Sequence, residues 1–489
     1  MSAKRLILFS LTAALLSACS LVRYQPLETI SDINRSQGYR AETVKTSRYP
    51  GDDTLVIMMF SGGGTRAAAL GYGVLEELKR QKVYINGREQ TLLDSVDIVT
   101  GVSGGSVLAA YFALHGKDAI PAFERRFLKQ NFQRQMTKQI FSAANLPRLA
   151  SPEFGRGDLL QEQFDSYLFK HATFADLEKR RKGPFAIISA TDMGLGEHFI
   201  FTQEQFDVMC LNLGRLKISR AVAASSSVPM VFSPITLNNN GGRCNYTPPP
   251  LFQTALPPDN RKLQQQTANE FADSLYHYEN SSGRPYIHLV DGGLTDNLGL
   301  RALLDVTELQ IPDVLLNKLR NEKIKRIVVV SVNARREESG ALDKTAAVPG
   351  LGDVIGAIIN IPIDKFSQES LRRFRILTDQ WNEAKYPAHD GTPIKMHFVS
   401  LNLLDLPPSP LRNRVAAIPT TFYLPPADIN DLKNAGKVLL NDSAEYRSLT
   451  RELSFKPQTA DTEALLNSQP QQADSAQAEP KAQDYRKIP

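Results

Sequence analysis

The sequence predicts an α/β fold in which a mostly parallel central sheet is flanked by helices. Apolar runs of strand length recur along the chain, starting at residues 54–60, and continuous runs of this kind suit strands that are buried on both faces. A glycine loop and apolar residues at helical spacing follow the first run. A second run passes through a glycine-rich turn into a helix within residues 98–114, so strand, loop and helix occur twice in succession.

Composition places the chain among globular proteins and leaves its domain count open. It has 489 residues, 42% of them hydrophobic and 22% charged, which allows one large domain or two to three ordinary ones. The net charge of +5 is spread along the sequence and does not indicate a nucleic-acid partner. Three cysteines and seven histidines form neither C-x-x-C nor H-E-x-x-H, so we predict no metal site and no cofactor.

The amino terminus has the pattern of an exported lipoprotein. Two basic residues precede an apolar run at 6–16, which has the length of a signal-peptide core. Leu-Ser-Ala-Cys, ending at Cys19, resembles the lipobox of bacterial lipoproteins, in which cleavage leaves a lipidated first cysteine. We therefore predict a signal peptide at 1–18 and a lipidated tether at 19–53. An ordinary secretory signal cut near Ala18 is the alternative.

This pattern predicts a location in the bacterial cell envelope, anchored to a membrane by lipid. If the host has two membranes, Ser20 after the cysteine resembles outer-membrane sorting. Once Cys19 is lipidated, only Cys210 and Cys244 remain. An exported protein permits a disulfide between them, and two free thiols are equally compatible with the sequence.

A candidate nucleophile lies in the second strand–helix unit. Gly-Val-Ser-Gly-Gly, centred on Ser103, follows a β-branched run and precedes the helix, as in a nucleophile elbow. Neighbours without a Cβ are needed because a serine in such a sharp turn would otherwise collide with them. The helix amino terminus would favour negative charge at the Ser103 hydroxyl. By itself the motif also fits a structural glycine-rich turn.

The loop after the first strand has three interpretations. Gly62, Gly64 and Ala67 match the dinucleotide-binding pattern, but no acidic residue closes a second strand at the required distance. A P-loop is excluded because the Gly-Lys-Ser/Thr ending is missing. The favoured interpretation is an oxyanion hole, in which backbone amides of the loop stabilise a tetrahedral intermediate.

The remaining chain continues the same architecture. We predict one domain at 54–455, with a long loop insertion at 238–285 and a disordered tail at 456–489. Further strands are expected at 184–191, 286–290, 325–332 and 395–401, and helices within 117–182, 347–381 and 427–440. The serine run that ends a helix near Pro229 lacks elbow glycines, so we interpret it as structural.

Asp291 ends the strand at 286–290 and is followed by two glycines. An aspartate at the carboxyl end of a strand is well placed for an active site, although an aspartate that caps a turn is common.

Three blocks in this order resemble the patatin-like phospholipases. Gly-Gly-Gly-Thr-Arg at 62–66 resembles the oxyanion loop of that family, Gly-Val-Ser-Gly-Gly at 101–105 its nucleophile elbow, and Asp-Gly-Gly at 291–293 its aspartate motif. Residues 190–194 and 221–234 also resemble stretches of the family. The resemblance implies a three-layer patatin-like fold. Ala67, where many members have glycine, and the insertion at 238–285 are departures.

The resemblance also implies a mechanism. Ser103 would attack an acyl ester and Asp291 would accept its proton, forming a Ser–Asp dyad. The implied oxyanion donors are the amides of Gly62, Gly63, Gly64 and Gly104. Arg66 would brace the loop or contact a phosphate, with bracing ranked first.

The function implied is a phospholipase A-type lipid acyl hydrolase whose substrate is membrane phospholipid or another acyl lipid. A Ser–Asp–His esterase that uses His389 or His397 is one alternative. The other is a non-catalytic envelope lipoprotein that binds lipid or a partner.

Overall fold

The computed structural model describes residues 22–41, 43, 51–85, 88–248, 272–301, 303–304, 312–335, 344 and 346–453. The predicted signal peptide and Cys19 lie outside these residues, as do the predicted tail and the middle of the predicted insertion. Within the described part of the chain, no helix combines the length and the apolarity needed to cross a membrane.

An eight-stranded sheet organises the fold, and a separate hairpin, β2–β3, lies outside it. The strands are β1 (Thr54–Phe60), β2 (Lys82–Ile85), β3 (Arg88–Thr91), β4 (Val96–Val102), β5 (Phe185–Asp192), β6 (Glu197–Ile200), β7 (Ile235–Asn238), β8 (Tyr286–Asp291), β9 (Arg326–Asn333) and β10 (Lys395–Asn402). Their order is β10-β9-β1-β4-β5-β8-β7, with β6 also paired to β5. The first five are mutually parallel, whereas β6, β7 and β8 pair in antiparallel fashion. The predicted mostly parallel sheet is thereby confirmed.

Helices connect and cover these strands. In the described residues they are α1 (Gly64–Arg80), α2 (Gly104–His115), α3 (Ala119–Phe123), α4 (Phe132–Ile140), α5 (Leu146–Leu149), α6 (Arg156–Phe164), α7 (Phe174–Arg180), α8 (Gln203–Val208), α9 (Ile218–Ser225), α10 (272–279), α11 (Gly293–Asp296), α12 (Pro312–Asn321), α13 (Leu351–Ala384), α14 (Pro410–Ala417), α15 (Pro426–Asp442) and α16 (Ala444–Glu452). Each predicted strand and helix lies within a few residues of one of these elements.

The alternation of β1 side chains shows the three layers. Val56, Met58 and Phe60 belong to a core shared with α1, α2 and α15. The residues between them point to the opposite face and belong to a second core, which includes Phe374 and Trp381 of α13. Because successive strand residues face opposite sides, an entirely apolar strand is stable only with a packed layer on each side.

The packed body begins before Thr54. Tyr39 lies within the core, where its hydroxyl donates to the Ala186 carbonyl at 3.0 Å and its ring stacks on Phe185. Arg40 forms a buried ion pair with Asp207, 2.7 Å apart. Residues 22–41 were predicted as part of a tether. At their end, Tyr39 is buried in the core of the domain and Arg40 is held by its ion pair with Asp207.

The ends of the predicted insertion are also packed. Cys210 and Cys244 form a disulfide bond, so one of the two states that the sequence left open is present. On the other side, Tyr278 in α10 is buried and donates from its hydroxyl to Asp192 at 3.0 Å. The described ends of 238–285 are thus joined to the body next to β5.

Candidate active site

The turn at Ser103 has the backbone of a nucleophile elbow. Ser103 has φ 51° and ψ −124°, a region that residues with side chains rarely adopt. β4 ends immediately before it and α2 begins immediately after it. Ser103 is buried. Because it directly precedes α2, it lies at the amino terminus of that helix, where backbone amides favour negative charge.

Close backbone contacts explain the two glycines that follow. A Cβ at Gly104 would lie 2.0 Å from the carbonyl oxygen of Gly64, and one at Gly105 would lie 2.4 Å from that of Phe60. Both contacts are with backbone, so no side-chain rotation relieves them. The amino termini of α1 and α2 therefore meet beside Ser103.

The serine run 225–227, which begins at the last residue of α9, supports this turn, and its sequence alone did not predict which residues it would contact. The amide of Ser103 donates to the Ser225 hydroxyl at 2.9 Å. The amide of Asp291 donates to the carbonyl of Ser227 at 3.0 Å, and that of Gly292 donates to the carbonyl of Ser225 at 3.3 Å. Residues 225–227 thus contact both predicted catalytic residues.

The sheet brings Asp291 close to Ser103. In the parallel pairing of β4 with β5, Val102 lies beside Ser189. In the antiparallel pairing of β5 with β8, Ala190 lies beside Asp291. β4 and β8 therefore flank the end of β5. Ser103, which follows β4, and Asp291, which ends β8, lie at the same edge of the sheet on either side of β5.

Burial alters the acidity of Asp291. Desolvation raises its pKa to about 6, against the opposing effects of hydrogen bonds from the Gly293 amide and the Ser103 hydroxyl. Oδ1 accepts from Gly293 at 2.8 Å. Oδ2 is buried and accepts no hydrogen bond of ordinary geometry from the described residues. Ser103 is nevertheless close enough to lower the pKa of Asp291, and catalytic hydrogen bonds often tighten only when substrate binds.

The amide of Gly62 is held by Asn297. It donates to the backbone carbonyl of Asn297 at 3.0 Å and to Oδ1 of the same residue at 3.1 Å. A Cβ at Gly62 would lie 2.4 Å from that oxygen and 3.4 Å from the Ser103 Cβ. Gly62 therefore lies against the nucleophile, but its N–H is already paired, which favours a positioning role for Gly62 and Asn297.

The other three predicted oxyanion donors have a different environment. Gly64 is the first residue of α1 and Gly104 the first of α2, so neither amide has an acceptor within its own helix. Gly63 precedes α1 with φ 134°, and Gly64 has φ 60°. The Thr65 amide donates to the Thr421 carbonyl at 2.9 Å, which fixes the start of α1 to the segment that follows α14.

Arg66 makes the contacts of a brace. Its Nε donates to the carbonyl of Ala334 at 2.9 Å and its Nη1 to that of Ile418 at 3.1 Å. The side chain is buried. These contacts join the start of α1 to the segments after β9 and α14, and burial leaves little room for a phosphate.

The two histidines of the triad alternative lie elsewhere. His397 is beside Val328 of β9, which is itself beside Val56 near the start of β1. Its Nε2 lies 3.3 Å from Glu452. His389 precedes β10, at that same end of the sheet. Ser103 follows the opposite, carboxyl ends of the strands, so the fold separates both histidines from it.

No group of three or more His, Cys, Asp or Glu side chains in the described chain is arranged to hold a metal ion.

Comparisons with known proteins connect this geometry to a family. A sequence model described as patatin-like phospholipase matches residues 58–304, about half of the chain. A search of curated proteins finds no match.

Similarities to solved structures are distant. Human GIVD cytosolic phospholipase A2 in complex with methyl gamma-linolenyl fluorophosphonate is 13% identical over 82% of this chain, with a TM-score of 0.38. VipD from Legionella pneumophila is 12% identical, over 90% of this chain and 72% of its own, with a TM-score of 0.31. The chain spans 45% and 59% of the length of the two human phospholipase structures that match it first.

Proposed function

Because the chain belongs to the patatin-like phospholipase family, we propose that it is a serine hydrolase that cleaves the acyl esters of lipids. The observation that supports this most directly is the meeting of Ser103 and Asp291 at one edge of the sheet. Both are buried, and both are held by the serine run 225–227. A residue with positive φ and a buried carboxylate whose pKa is raised are together typical of a catalytic site.

In the first step, the Ser103 hydroxyl attacks the acyl carbonyl and its proton passes to Asp291. Oδ1 of Asp291 already accepts from Gly293, so Oδ2 is the oxygen that receives the proton. A carboxylate with a pKa of about 6 is ionised at neutral pH and is more basic than an ordinary aspartate, as a general base requires.

The negative charge that develops on the carbonyl oxygen is stabilised by backbone amides. Those of Gly63, Gly64 and Gly104 lie where the amino termini of two helices meet, and a helix amino terminus favours negative charge. Each donor of this kind contributes about 3 kcal/mol to transition-state stabilisation. Gly62 was also predicted as a donor, and its pairing with Asn297 favours the other three.

Collapse of the intermediate breaks the ester C–O bond. The alcohol leaves with the proton from Asp291 and the acyl group stays on Ser103. A water molecule then attacks the acyl-enzyme, gives a proton to Asp291, and releases the fatty acid while the Ser103 hydroxyl re-forms. We propose membrane phospholipid as the substrate class, cleaved in a phospholipase A-type reaction.

The test uses the full chain, mixed phospholipid vesicles and three variants. Ser103→Ala and Asp291→Asn should each abolish fatty-acid release, and Ser103→Ala should also abolish labelling by a fluorophosphonate. Ser226→Ala is the matched control, because Ser226 is buried in the same run but its hydroxyl has no partner in the described structure. It should retain activity. A folded wild-type chain that neither hydrolyses acyl esters nor takes the probe would support a non-catalytic lipid-binding role instead.

We also propose that Cys19 is lipidated and anchors the protein in the bacterial envelope, in the outer membrane if there are two. The sequence pattern at 1–19 supports this. Mass spectrometry of the purified chain should find an acylated amino-terminal cysteine, and Cys19→Ala should lower the fraction of the protein that is bound to membranes. An unmodified mature terminus would contradict the proposal.

A further inference from the structure

The first half of α13 has an apolar surface that the described residues do not cover. The buried residues of this 34-residue helix are Ser367, Phe374, Thr378 and Trp381, all from its middle onward. Before them, residues 354–363 read V-I-G-A-I-I-N-I-P-I and contain no charge. We call residues 354–363 the apolar stretch. Within it, Ile358 is 67% exposed.

Water is an unfavourable environment for such a segment. Helices that are apolar all round are ordinarily buried in protein or in lipid, and contiguous exposed apolar patches ordinarily mark a binding surface. A Cβ at Gly352 or Gly356 would meet no atom of the described structure within 4 Å. Among the described residues, nothing therefore occupies the space beside these two glycines.

The apolar stretch leads directly to the candidate active site. Cδ1 of Ile363 lies 3.7 Å from the position that a Cβ at Gly293 would occupy, beside Asp291. One turn further along α13, the Ser367 hydroxyl accepts from Nδ2 of Asn297 at 3.4 Å. Asn297 also accepts from the Gly62 amide, so the helix contacts the aspartate turn and, through Asn297, supports the glycine loop.

A second apolar surface adjoins the site on another side. Met230 and Val231 are 68% and 51% exposed and closely follow the serine run that holds Ser103 and Asp291. The Met230 carbonyl accepts from Arg156, which fixes the turn to α6. Exposed apolar side chains therefore belong to two segments that adjoin the candidate active site.

Charge and length indicate the occupant. Exposed Lys344 and Lys365 lie before and after the apolar stretch and are complementary to lipid phosphates. Of the two acids next to the stretch, Asp364 is neutralised by an ion pair with Arg335, whereas Asp353 accepts from the Gly350 amide and keeps its charge. Ten helical residues extend about 15 Å, roughly half of what a span requires, so they fit one face of a bilayer.

The first described residue, Val22, is tied to a segment that leads to the Met230 turn. The Ser151 hydroxyl donates to the carbonyl of Val22, and the nearby Gly157 amide donates to the hydroxyl of Ser233, next to the Met230 turn. Val22 is three residues from Cys19, a distance of at most about 11 Å. A lipid on Cys19 would therefore hold the Met230 side of the domain close to the membrane.

We propose that the apolar stretch, together with Met230 and Val231, inserts into the surface of a phospholipid bilayer. This places the Ser103 site at the interface, where acyl chains enter it without crossing water. The part of this inference that concerns substrate delivery rests on the proposed function, whereas bilayer insertion does not.

The first test measures insertion without relying on catalysis. The chain has a single tryptophan, Trp381, which is buried at the far end of α13 and serves as an internal reference. Full-length Ile358→Trp on phosphatidylcholine vesicles with brominated acyl chains should lose at least half of its added fluorescence. Ile376→Trp is the matched control, because residue 376 is exposed on the second half of the same helix, and it should lose little.

Three results would overturn the proposal. Equal quenching at positions 358 and 376 would show that the apolar stretch does not enter the bilayer. A blue-shifted emission from residue 358 without vesicles, dependent on protein concentration, would identify a second copy of the chain as the occupant. The same shift at every concentration would mean that another part of the chain covers the helix.

The second test links insertion to activity. Ile358→Glu should lower hydrolysis of phosphatidylcholine vesicles about tenfold and leave hydrolysis of a soluble short-chain ester unchanged. Ile376→Glu should affect neither, and circular dichroism should show both variants folded. A wild-type chain that cleaves neither substrate would reject the proposed function, while the fluorescence test would still decide insertion. Equal vesicle activity of both variants would reject delivery by the apolar stretch.

Discussion

The Ser103 turn and the first half of α13 are packed in opposite ways. Around Ser103, glycines lie so close to other backbone that a Cβ at Gly104 would approach an oxygen to 2.0 Å. In α13, a Cβ at Gly356 would meet nothing within 4 Å. Both segments are apolar in sequence, so hydrophobicity alone does not separate them. This difference fits the two proposals, that the Ser103 turn carries the catalytic serine and that the first half of α13 meets a bilayer.

Gly104 and Gly356 are glycines for different reasons. At Gly104 the reason is steric, because the amino termini of two helices meet and leave no room for a side chain. At Gly356 no contact or positive φ requires glycine. Substitution by alanine at each position therefore tests the comparison directly.

The largest effect is expected for Gly104→Ala. The added methyl group would push α1 and α2 apart and displace the amides next to Ser103, so we expect hydrolysis to fall by at least about 100-fold. Overpacking should also lower the free energy of unfolding by about 1–3 kcal/mol. Denaturant titration and fluorophosphonate labelling measure the two effects. Near-normal activity with unchanged stability would show that the elbow is not rigid.

Protonation of Asp291 should have the next largest effect. Its pKa is raised to about 6 by burial, and the base must be ionised, so hydrolysis should fall about tenfold per pH unit below about 6 and level off above it. The pH dependence of kcat/KM with a soluble ester measures this. A profile that is flat between pH 5 and 7 would contradict the assignment of Asp291 as the base.

The same pKa makes a prediction about stability. Below its ordinary value of 3.8 the carboxyl is protonated in both the folded and the unfolded chain. Between about 4 and 6 only the unfolded chain ionises, so the contribution of Asp291 to stability falls as pH rises, and the loss is complete above about 6. Asp291→Asn should therefore be inactive yet more stable at pH 7, by about 1–3 kcal/mol. Equal stability of variant and wild type at pH 7 would contradict the burial effect.

Ser225→Ala should have an intermediate effect. Its hydroxyl accepts from the amide of Ser103, and removing it leaves that buried N–H unpaired at a cost of about 1–3 kcal/mol. We expect a fall in kcat of about tenfold because the strained turn loses a support. Ser226→Ala is the control, since that hydroxyl has no described partner, and it should change neither kcat nor stability. Identical behaviour of the two variants would mean that Ser225 does not support the turn.

Local patterns made much of this structure predictable. The run at 54–60 is apolar at every position, so it required a layer on each side of the sheet, and both layers are present. The glycines around Ser103 indicated a sharp turn because only close contact makes two adjacent glycines necessary. The strand before Asp291 indicated that this carboxylate lies at an edge of the sheet.

Contacts between distant residues were not predictable in this way. The hydrogen bond from Ser103 to Ser225 joins positions 122 residues apart, and the one from Gly62 to Asn297 joins positions 235 apart. Nothing next to Ser225 in the sequence marks its partner, so the serine run was interpreted as structural only. The packing of Tyr39 in the core is also a long-range contact, and the predicted tether extended past it for that reason.

The smallest effect, and the sharpest test of the contrast, is expected for Gly356→Ala. Position 356 lies inside a helix with no atom of the described structure near its Cβ, so alanine should raise helix stability by about 0.5–1 kcal/mol without a steric cost. Hydrolysis of a soluble ester should be unchanged, because the methyl group points into open space. Denaturant titration measures the difference. A destabilised variant would mean that something packs against the apolar stretch in solution. Gly104 and Gly356 would then differ only in how tightly they are packed, because neighbouring atoms would restrict both positions.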